Sequence, residues 1–524
     1  MDRARQPGVR AGARTQTGSE RPWHPPIFAM GLHHSPERGV RRMKVAAASI
    51  FFPRGGSAQV LRYLAPRLQD LGVDYSLTAG STSAVANGDA VAFYGQHVRH
   101  VVDYDGAFDA YARGVDPMLV AQPVHPSYED KDGVPDRSFG RVSPQATAYL
   151  EACWSERFRE FDFGSADVVH LNHLTPMQGG MALAYSDIPV VATMHGTEIK
   201  FWLSLLAEAD DNPAAGRLEY AEFWRDAMDG YAKLCERIVV ISSVDKATMI
   251  DRFGVDSAKV RYIPHGVDTV RFKPAELTPA DDAALWQELL VDDCRAAEVG
   301  GEPGSLSYRH ADLARLHFSD RSKSIRLMWL GRFLTQKRLN QLLRAFERLT
   351  RQRTEDVSLI VWGGFPGEHE GVHPLELVRE LRLDDRVFFV GWRGHDDLAR
   401  ALPAVDALVV PAVNESFGLM YLEAMASGIP VLATETGGPL DFVVPAGDDA
   451  NGWLVPPDDD DALLARLTEI VADPVERRRR GRNALERAVN DFAWSSVARR
   501  YRELFAEVRA SQVERIRSTA GSNR

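Results

Sequence analysis

The chain has 524 residues, 45% of them hydrophobic, which is too long for one typical core and apolar enough to fill two. A formal net charge of -11 argues against general nucleic-acid binding, and three scattered cysteines, Cys153, Cys235 and Cys294, offer neither a disulfide framework nor metal-ligand spacing. No apolar run reaches the length of about eighteen residues needed to span a bilayer, so a cytoplasmic protein is expected, with peripheral contact at the inner face of a membrane left open.

Residues 1–42 carry eight arginines against Asp2, Glu20 and Glu37, a balance of +5 that, from -11 overall, leaves -16 for residues 43–524. That composition predicts a disordered leader without catalytic content. It lacks the apolar stretch of a signal peptide, formally resembles an organelle transit peptide, and leaves Met43 as an alternative start.

From Met43 to Ile50 the chain reads as a small-residue apolar strand, followed by the glycine loop Pro53-Arg54-Gly55-Gly56-Ser57. Val60, Leu61, Leu64, Leu68 and Leu71 then mark one face of a helix stopped by Gly72, and Pro66 is expected to kink or break it. Further strands are read at Val168 to Leu171, Pro189 to Met194 and Arg237 to Ile241, with helices at Tyr220 to Leu234 and Val244 to Phe253. Residues 271–320 form an acidic linker or insertion, long for a linker, with a helical fragment near Ala283 to Leu290; a variable surface loop is its plainest reading. A second series of strands follows at Ile325 to Leu330, Val357 to Trp362, Arg386 to Val390, Ala407 to Val410 and Pro430 to Thr434. Its first helix places Leu339, Leu342, Leu343, Phe346 and Leu349 on one side. Strand and helix alternating at this spacing imply an α/β protein of two Rossmann-like doubly wound domains, residues 43–270 and 321–490, facing across a cleft. Ligands of such sheets lie beyond the carboxyl ends of the strands. The run Arg477 to Arg480 with Arg482 is read as a solvated helix face, against a weaker lipid- or phosphate-binding reading.

The candidate site residues all fall on those ends. Glu415 and Glu423 sit on a loop running into a helix, Leu419 to Ser427, where each carboxylate can hold a sugar diol. The first N–H groups of that helix, at Phe417, Gly418 and Leu419, favour an anion or hydroxyl oxygens. Gly331-Arg332 leaves the strand Ile325 to Leu330, and Lys337 is expected to open the next helix, which puts two cations at the mouth of the cleft. Cleavage of a sugar from a diphosphate builds negative charge on the departing oxygen, and fixed Arg and Lys side chains stabilise it without a metal. Lysine is scarce here, nine against fifty-three arginines, which makes Lys337 stand out from the background. His195-Gly196-Thr197-Glu198 follows the strand Pro189 to Met194 into the same cleft. Gly55-Gly56 is a weak motif, and no third glycine completes a dinucleotide fingerprint, so hydride transfer is disfavoured.

Taken together, Gly331-Arg332 with Lys337, Glu415 with Glu423, Thr434-Glu435-Thr436-Gly437-Gly438 and Ile263-Pro264-His265-Gly266-Val267-Asp268 resemble a retaining glycosyltransferase of family four, the group-one type. The resemblance covers roughly residues 43–510. It implies a twin-Rossmann fold in which residues 491–510 form a helix crossing back to the first domain, with 511–524 expected as a disordered tail. It further implies that Arg332 and Lys337 bind the donor diphosphate, Glu415 the sugar hydroxyls and Glu423 the nucleotide ribose. Backbone at Phe417, Gly418 and Leu419 would support sugar or phosphate oxygens, Gly55 and Gly56 would let the first domain close on the diphosphate, and His195 would lie by the reacting sugar. Backbone around Val390-Gly391-Trp392 would meet the nucleobase. The sequence departs from the family at Arg338, often glycine, and at His265, more commonly asparagine. Acceptor recognition is expected in Pro123 to Ser143, rich in His, Tyr, Asp and Pro, where the plain alternative is again a variable surface loop.

The implied reaction transfers a sugar from a nucleoside diphosphate sugar, as co-substrate and without cofactor or metal, to a carbohydrate, lipid-linked or small-molecule hydroxyl with the anomeric configuration retained. A nucleotide-sugar epimerase and a non-catalytic sugar-nucleotide binding subunit are the rivals, separated from it by acceptor dependence and by release of nucleoside diphosphate.

Overall fold

The computed structural model describes residues 41–53, 55–85, 87–128, 134–211, 218–353, 356–364 and 368–522. The leader expected over residues 1–42 lies outside the described residues as far as residue 40, and so does Arg54 of the glycine loop. Residues 42–524 form one compact unit containing two parallel sheets.

The first sheet is built from β1 (Lys44–Ser49), β2 (Asp74–Ser81), β3 (Val98–Asp103), β4 (Val168–Asn172), β5 (Val190–Thr193), β6 (Arg237–Val240) and β7 (Val260–Tyr262), in the order β3-β2-β1-β4-β5-β6-β7. The second contains β8 (Ser324–Gly331), β9 (Asp356–Gly363), β10 (Val387–Gly391), β11 (Ala407–Val409), β12 (Val431–Thr434) and β13 (Gly452–Val455), in the order β10-β9-β8-β11-β12-β13. Both sheets are covered on two faces by helices, which is why their central strands are continuous apolar runs. The strand order reverses between β1 and β4 and again between β8 and β11, and the carboxyl ends at these reversals are where a doubly wound sheet opens a crevice.

Four strands escaped the sequence reading: β2, β3, β7 and β13. The edge strand β3 is exposed or half-buried except at Val102 and so lacks an apolar run, while β7 and β13 are too short to carry a periodic signal. The helix Gly55–Asp70 runs unbroken through Pro66, contrary to the expected break. Leu61, Leu64, Ala65 and Leu68 are buried around the proline, and this packing holds the helix where its backbone lacks a donor.

The insertion is also corrected. Leu285, Trp286, Leu289, Leu290, Ala296, Leu313 and Leu316 are buried in the core of the second sheet, so residues 271–320 are an integral layer rather than a variable surface loop. Its helix Pro279–Gln287 is capped by Thr278 and passes into a wider turn at Glu288–Asp292. Arg326 on β8, fully buried, donates to Asp282 Oδ1 at 2.6 Å and to the Leu316 carbonyl, which ties both ends of the insertion to the sheet.

The last helix, Trp494–Ser522, crosses to the first sheet, where Trp494, Val497, Tyr501, Leu504 and Phe505 are buried with Val45, Leu64 and Leu77. It runs beyond residue 510, so the tail expected at 511–524 is helical through Ser522. Gln512 donates to the Asp187 carbonyl, and Arg515 pairs with Glu236 at 2.9 Å, docking that extension against the first domain. Among the described residues no helix is long and apolar enough to cross a membrane.

Candidate functional site

The loop after β5 in the first domain meets the loop after β11 in the second. On the second-domain side, β8 ends at Gly331 and the chain makes a short turn, Thr335–Lys337, before the helix Leu339–Gln352; Lys337 therefore precedes the helix rather than opening it. Arg338 lies between them with φ 53°, in the left-handed region where glycine costs least, and its guanidinium is held by Asp458 at 2.6 Å. After β11, Asn414 is also left-handed at φ 58° and turns the chain so that Glu415 faces back towards Lys337. Lys337 Nζ donates to Glu415 Oε2 at 2.5 Å, with both side chains largely buried.

Arg332 leaves β8 on the other side and is held in a two-bond fork by Glu368, Nε to Oε2 being 2.9 Å. Each cation therefore has its own carboxylate partner, an arrangement the sequence did not disclose because Glu368 is remote in the chain. Gly418 has φ 89°, and a Cβ there would press on the Tyr421 ring. Among the described residues no acceptor meets the backbone N–H groups of Phe417, Gly418 and Leu419. The Phe417 side chain is itself core, packed edge-on to His265 and Phe442 and tilted against Phe492, so only its backbone serves the loop. Gly437 and Gly438 let a second loop lie directly against Glu415 and Phe417, and Gly438 N–H donates to the Glu415 carbonyl at 3.0 Å.

Glu423 lies one turn into the helix Leu419–Ala426 and accepts from His395 Nε2 at 3.3 Å. That hydrogen bond holds the His395 imidazole above its ordinary pKa, against the opposing effect of burial. A small pocket beside Glu423 is lined by Tyr63, Asp268, His395, Leu419 and Trp494, bringing together both domains and the closing helix. Gly391 ends β10 at φ 80°, and the Arg295 backbone lies against it in a strand-like bridge, so the insertion covers one side of the expected nucleobase wall.

On the first-domain side, β4 is followed by His173, left-handed at φ 71°, and β5 ends before His195. Non-glycine residues held in this conformation store strain, and three of them border this one cleft. Both ring nitrogens of His195 are occupied: Nε2 meets Asn172 Oδ1 and Nδ1 meets His265 Nε2, each at 3.2 Å. Asn172 Nδ2 donates to the Ala48 carbonyl, so its oxygen accepts, which makes His195 the Nε2–H tautomer with Nδ1 accepting from His265. Burial pushes His195 well below the usual histidine range and His265 down to about 3, so both are neutral at pH 7. Glu198, fully buried, accepts from the His195 N–H and from His173 Nδ1, each at 3.0 Å. Glu198 was missed as a functional residue, although a carboxylate three positions after a loop residue at a helix start is a local signal for this backbone bond.

The two sides touch at Gly196. A Cβ on this residue, at φ 88°, would run into the Ser416 side chain, and Lys200 Nζ donates to the Asn414 carbonyl nearby. Ser243 N–H donates to Asp441 Oδ2 at 2.8 Å in a further link between domains. Among the described residues, nothing lies within 4 Å of where a Cβ would stand on Gly55 or Gly56, at the start of the first helix. In the junction motif, Val267 pairs with the closing segment through Val267 N–H to the Phe492 carbonyl at 2.7 Å, and Gly266 lies under the Trp494 ring. The stretch Pro123 to Ser143, described except for residues 129–133, is no surface loop. His125 is buried against Phe51, and the half-buried Tyr128 packs on Phe51 and on His173, beside the His195 network.

Residues 317–487 match the family model for glycosyl transferases group 1, and residues 54–271 match glycosyltransferase family 4. The chain is 31% identical to a D-inositol 3-phosphate glycosyltransferase of Kineococcus radiotolerans over 65% of this chain and 71% of the relative. It is 26% identical to an MMP alpha-(1->4)-mannosyltransferase of Mycolicibacterium hassiacum over 85% of this chain and 92% of the relative. The fold matches sucrose-phosphate synthase from Thermosynechococcus elongatus at a TM-score of 0.59 and 22% identity, covering 90% of this chain and all (100%) of that one. It also matches Anabaena HepE in complex with UDP-glucose at a TM-score of 0.57 and 17% identity, covering 89% and 100%. Matched in both halves and similar to these relatives over most of their length, the chain belongs to the group 1 glycosyltransferases of family 4 and is a glycosyltransferase.

Proposed function

We propose that the protein transfers a sugar from a nucleoside diphosphate sugar to an acceptor hydroxyl with retention of anomeric configuration. The observation that carries this reading is the pairing of Lys337 with Glu415 where the second sheet's strand order reverses, beneath a helix start whose backbone donors meet no acceptor among the described residues. A donor diphosphate competes there with Glu415 and Glu368 for Lys337 and Arg332, and releases Glu415 to accept from sugar hydroxyls. As the bond between the anomeric carbon and the phosphate oxygen breaks, its electron pair stays on the diphosphate. The two cations, with the amides of Phe417, Gly418 and Leu419, stabilise that charge. The acceptor oxygen forms the new bond on the same face, and its proton passes to the departing phosphate oxygen. Glu423, steadied by His395, holds the ribose.

The His195 ring is neutral and turned inward to Asn172 and His265, so it contributes by positioning the loop at Gly196 rather than by carrying a proton. Relatives named for inositol 3-phosphate and for a mannosyl transfer support small polyol phosphates and saccharides as the acceptors to test first.

The test follows release of free nucleoside diphosphate from a panel of sugar donors, with and without acceptors including D-inositol 3-phosphate. One donor should be consumed faster when its acceptor is present, the product should keep the donor's anomeric configuration, and Lys337→Ala or Glu415→Ala should abolish transfer without changing the circular dichroism spectrum. Near-normal turnover in either variant removes this assignment, and donor binding without release favours a non-catalytic binding subunit.

A further inference from the structure

Beyond the carboxyl ends of β8, β9 and β10 lies a pocket of about 90 Å³ that the Rossmann core does not close by itself. The core contributes Gly363, Gly364, Phe389 and Gly391; the insertion contributes Ala296, Ala297 and Gly301 from the opposite side. Gly364, at φ 75°, lies flat against the Phe333 ring, which meets Phe389 and His373 edge-on at 6.2 and 5.6 Å between centroids. The walls are thus bare backbone and aromatic rings, the lining of a slot for a planar ring. Carboxylates stand at its edge: Glu298 from the insertion and Glu368 from the core. Glu368 is also the partner of Arg332, so the slot adjoins the predicted diphosphate site.

The insertion is fixed over this slot by five hydrogen bonds. Arg393, buried after β10, donates to the Leu289 and Asp293 carbonyls, and Tyr308 accepts from the Phe389 N–H at 2.8 Å. Glu298 is forked by Arg379 at 2.7 and 2.9 Å. A segment held this tightly has a defined shape to present to a ligand.

We propose that residues 294–308 form the outer wall of the pocket for the donor's nucleobase and set which base is accepted, a proposal that rests on the donor reading above. The Rossmann core holds the diphosphate and ribose common to all such donors. The insertion is the part of the pocket that meets the distal edge of the base, where purines and pyrimidines differ in reach and in N–H groups offered to a carboxylate.

The experiment measures binding of UDP, GDP, ADP and inorganic pyrophosphate by calorimetry to the wild-type protein, Ala297→Trp and Glu298→Ala. Ala297→Trp should lower affinity for the purine diphosphates at least tenfold and for UDP by less, leaving pyrophosphate unchanged; Glu298→Ala should alter the ratio of affinities among the bases. Unchanged ratios in both variants, or equal losses for every ligand including pyrophosphate, overturn the proposal while leaving the donor reading in place. No nucleoside diphosphate binding by the wild-type protein overturns both.

Discussion

Gly196 shows how narrowly a single residue conditions this site. It is left-handed, and its missing side chain is the space occupied by Ser416 of the other domain. Gly196→Ala should cost about 1–2 kcal/mol in backbone strain and push the facing loop away from the cleft; we expect kcat to fall by tenfold or more while thermal stability drops only slightly, read by steady-state kinetics beside a melting curve. At Glu423 the relevant variable is pH. Its bond raises the His395 pKa, so the charged pair is fully formed below the ordinary histidine value near 6.5 and is lost as pH rises through the higher folded-state value. KM for the donor should therefore rise on the alkaline side in the wild type, and the His395→Ala enzyme should lose that pH dependence.

The insertion is decided at the scale of elements. Its acidic sequence resembles a linker, yet Asp282 is 4% exposed at the side chain and neutralises a fully buried arginine on β8. Removing one member of such a pair strands the other in low dielectric, at a cost of about 3–5 kcal/mol. Asp282→Ala should destabilise the protein by that amount in urea titrations, whereas Asp282→Leu combined with Arg326→Met should recover most of it. Equal destabilisation by the single and double changes would show that packing, not charge, anchors the element. The helix Gly55–Asp70 teaches the complementary lesson, because burial of its apolar face sustains it through a proline that local rules read as a break.

Across the whole molecule the first domain buries a set of histidines that must stay neutral. Burial holds His170 and His265 at about 3 and His195 well below its usual range. A depressed histidine contributes stability that is present above the unfolded value near 6.5 and is lost as pH falls, since only the unfolded chain takes up the proton. Each of the three groups should contribute a slope of up to about 1.4 kcal/mol per pH unit on the acid side. Urea midpoints measured from pH 7.5 down to pH 5 should fall accordingly, and a flat profile would contradict the burial of this cluster. The same cluster carries the loop that meets Ser416, so acid should reduce activity before global unfolding.

Sequence by itself determined the alternation of strands and helices, the two domains and the motif positions, because apolar runs and glycine stops are local signals. It located Arg332, Lys337 and Glu415 beyond strand ends, and Glu423 on the helix that follows, for the same reason. Only the tertiary structure decided what those side chains face. Glu368 reaches Arg332 from another loop, Glu198 turns inward between His173 and the His195 backbone, and Phe417 proves to be core. The insertion was equally illegible, since its order comes from burial against distant strands and not from any period of its own; the crossing helix was expected from the family resemblance, and only its continuation through Ser522 was not. Contacts between residues on different loops and elements are set by the packing of sheets, and no local pattern in the chain encodes them.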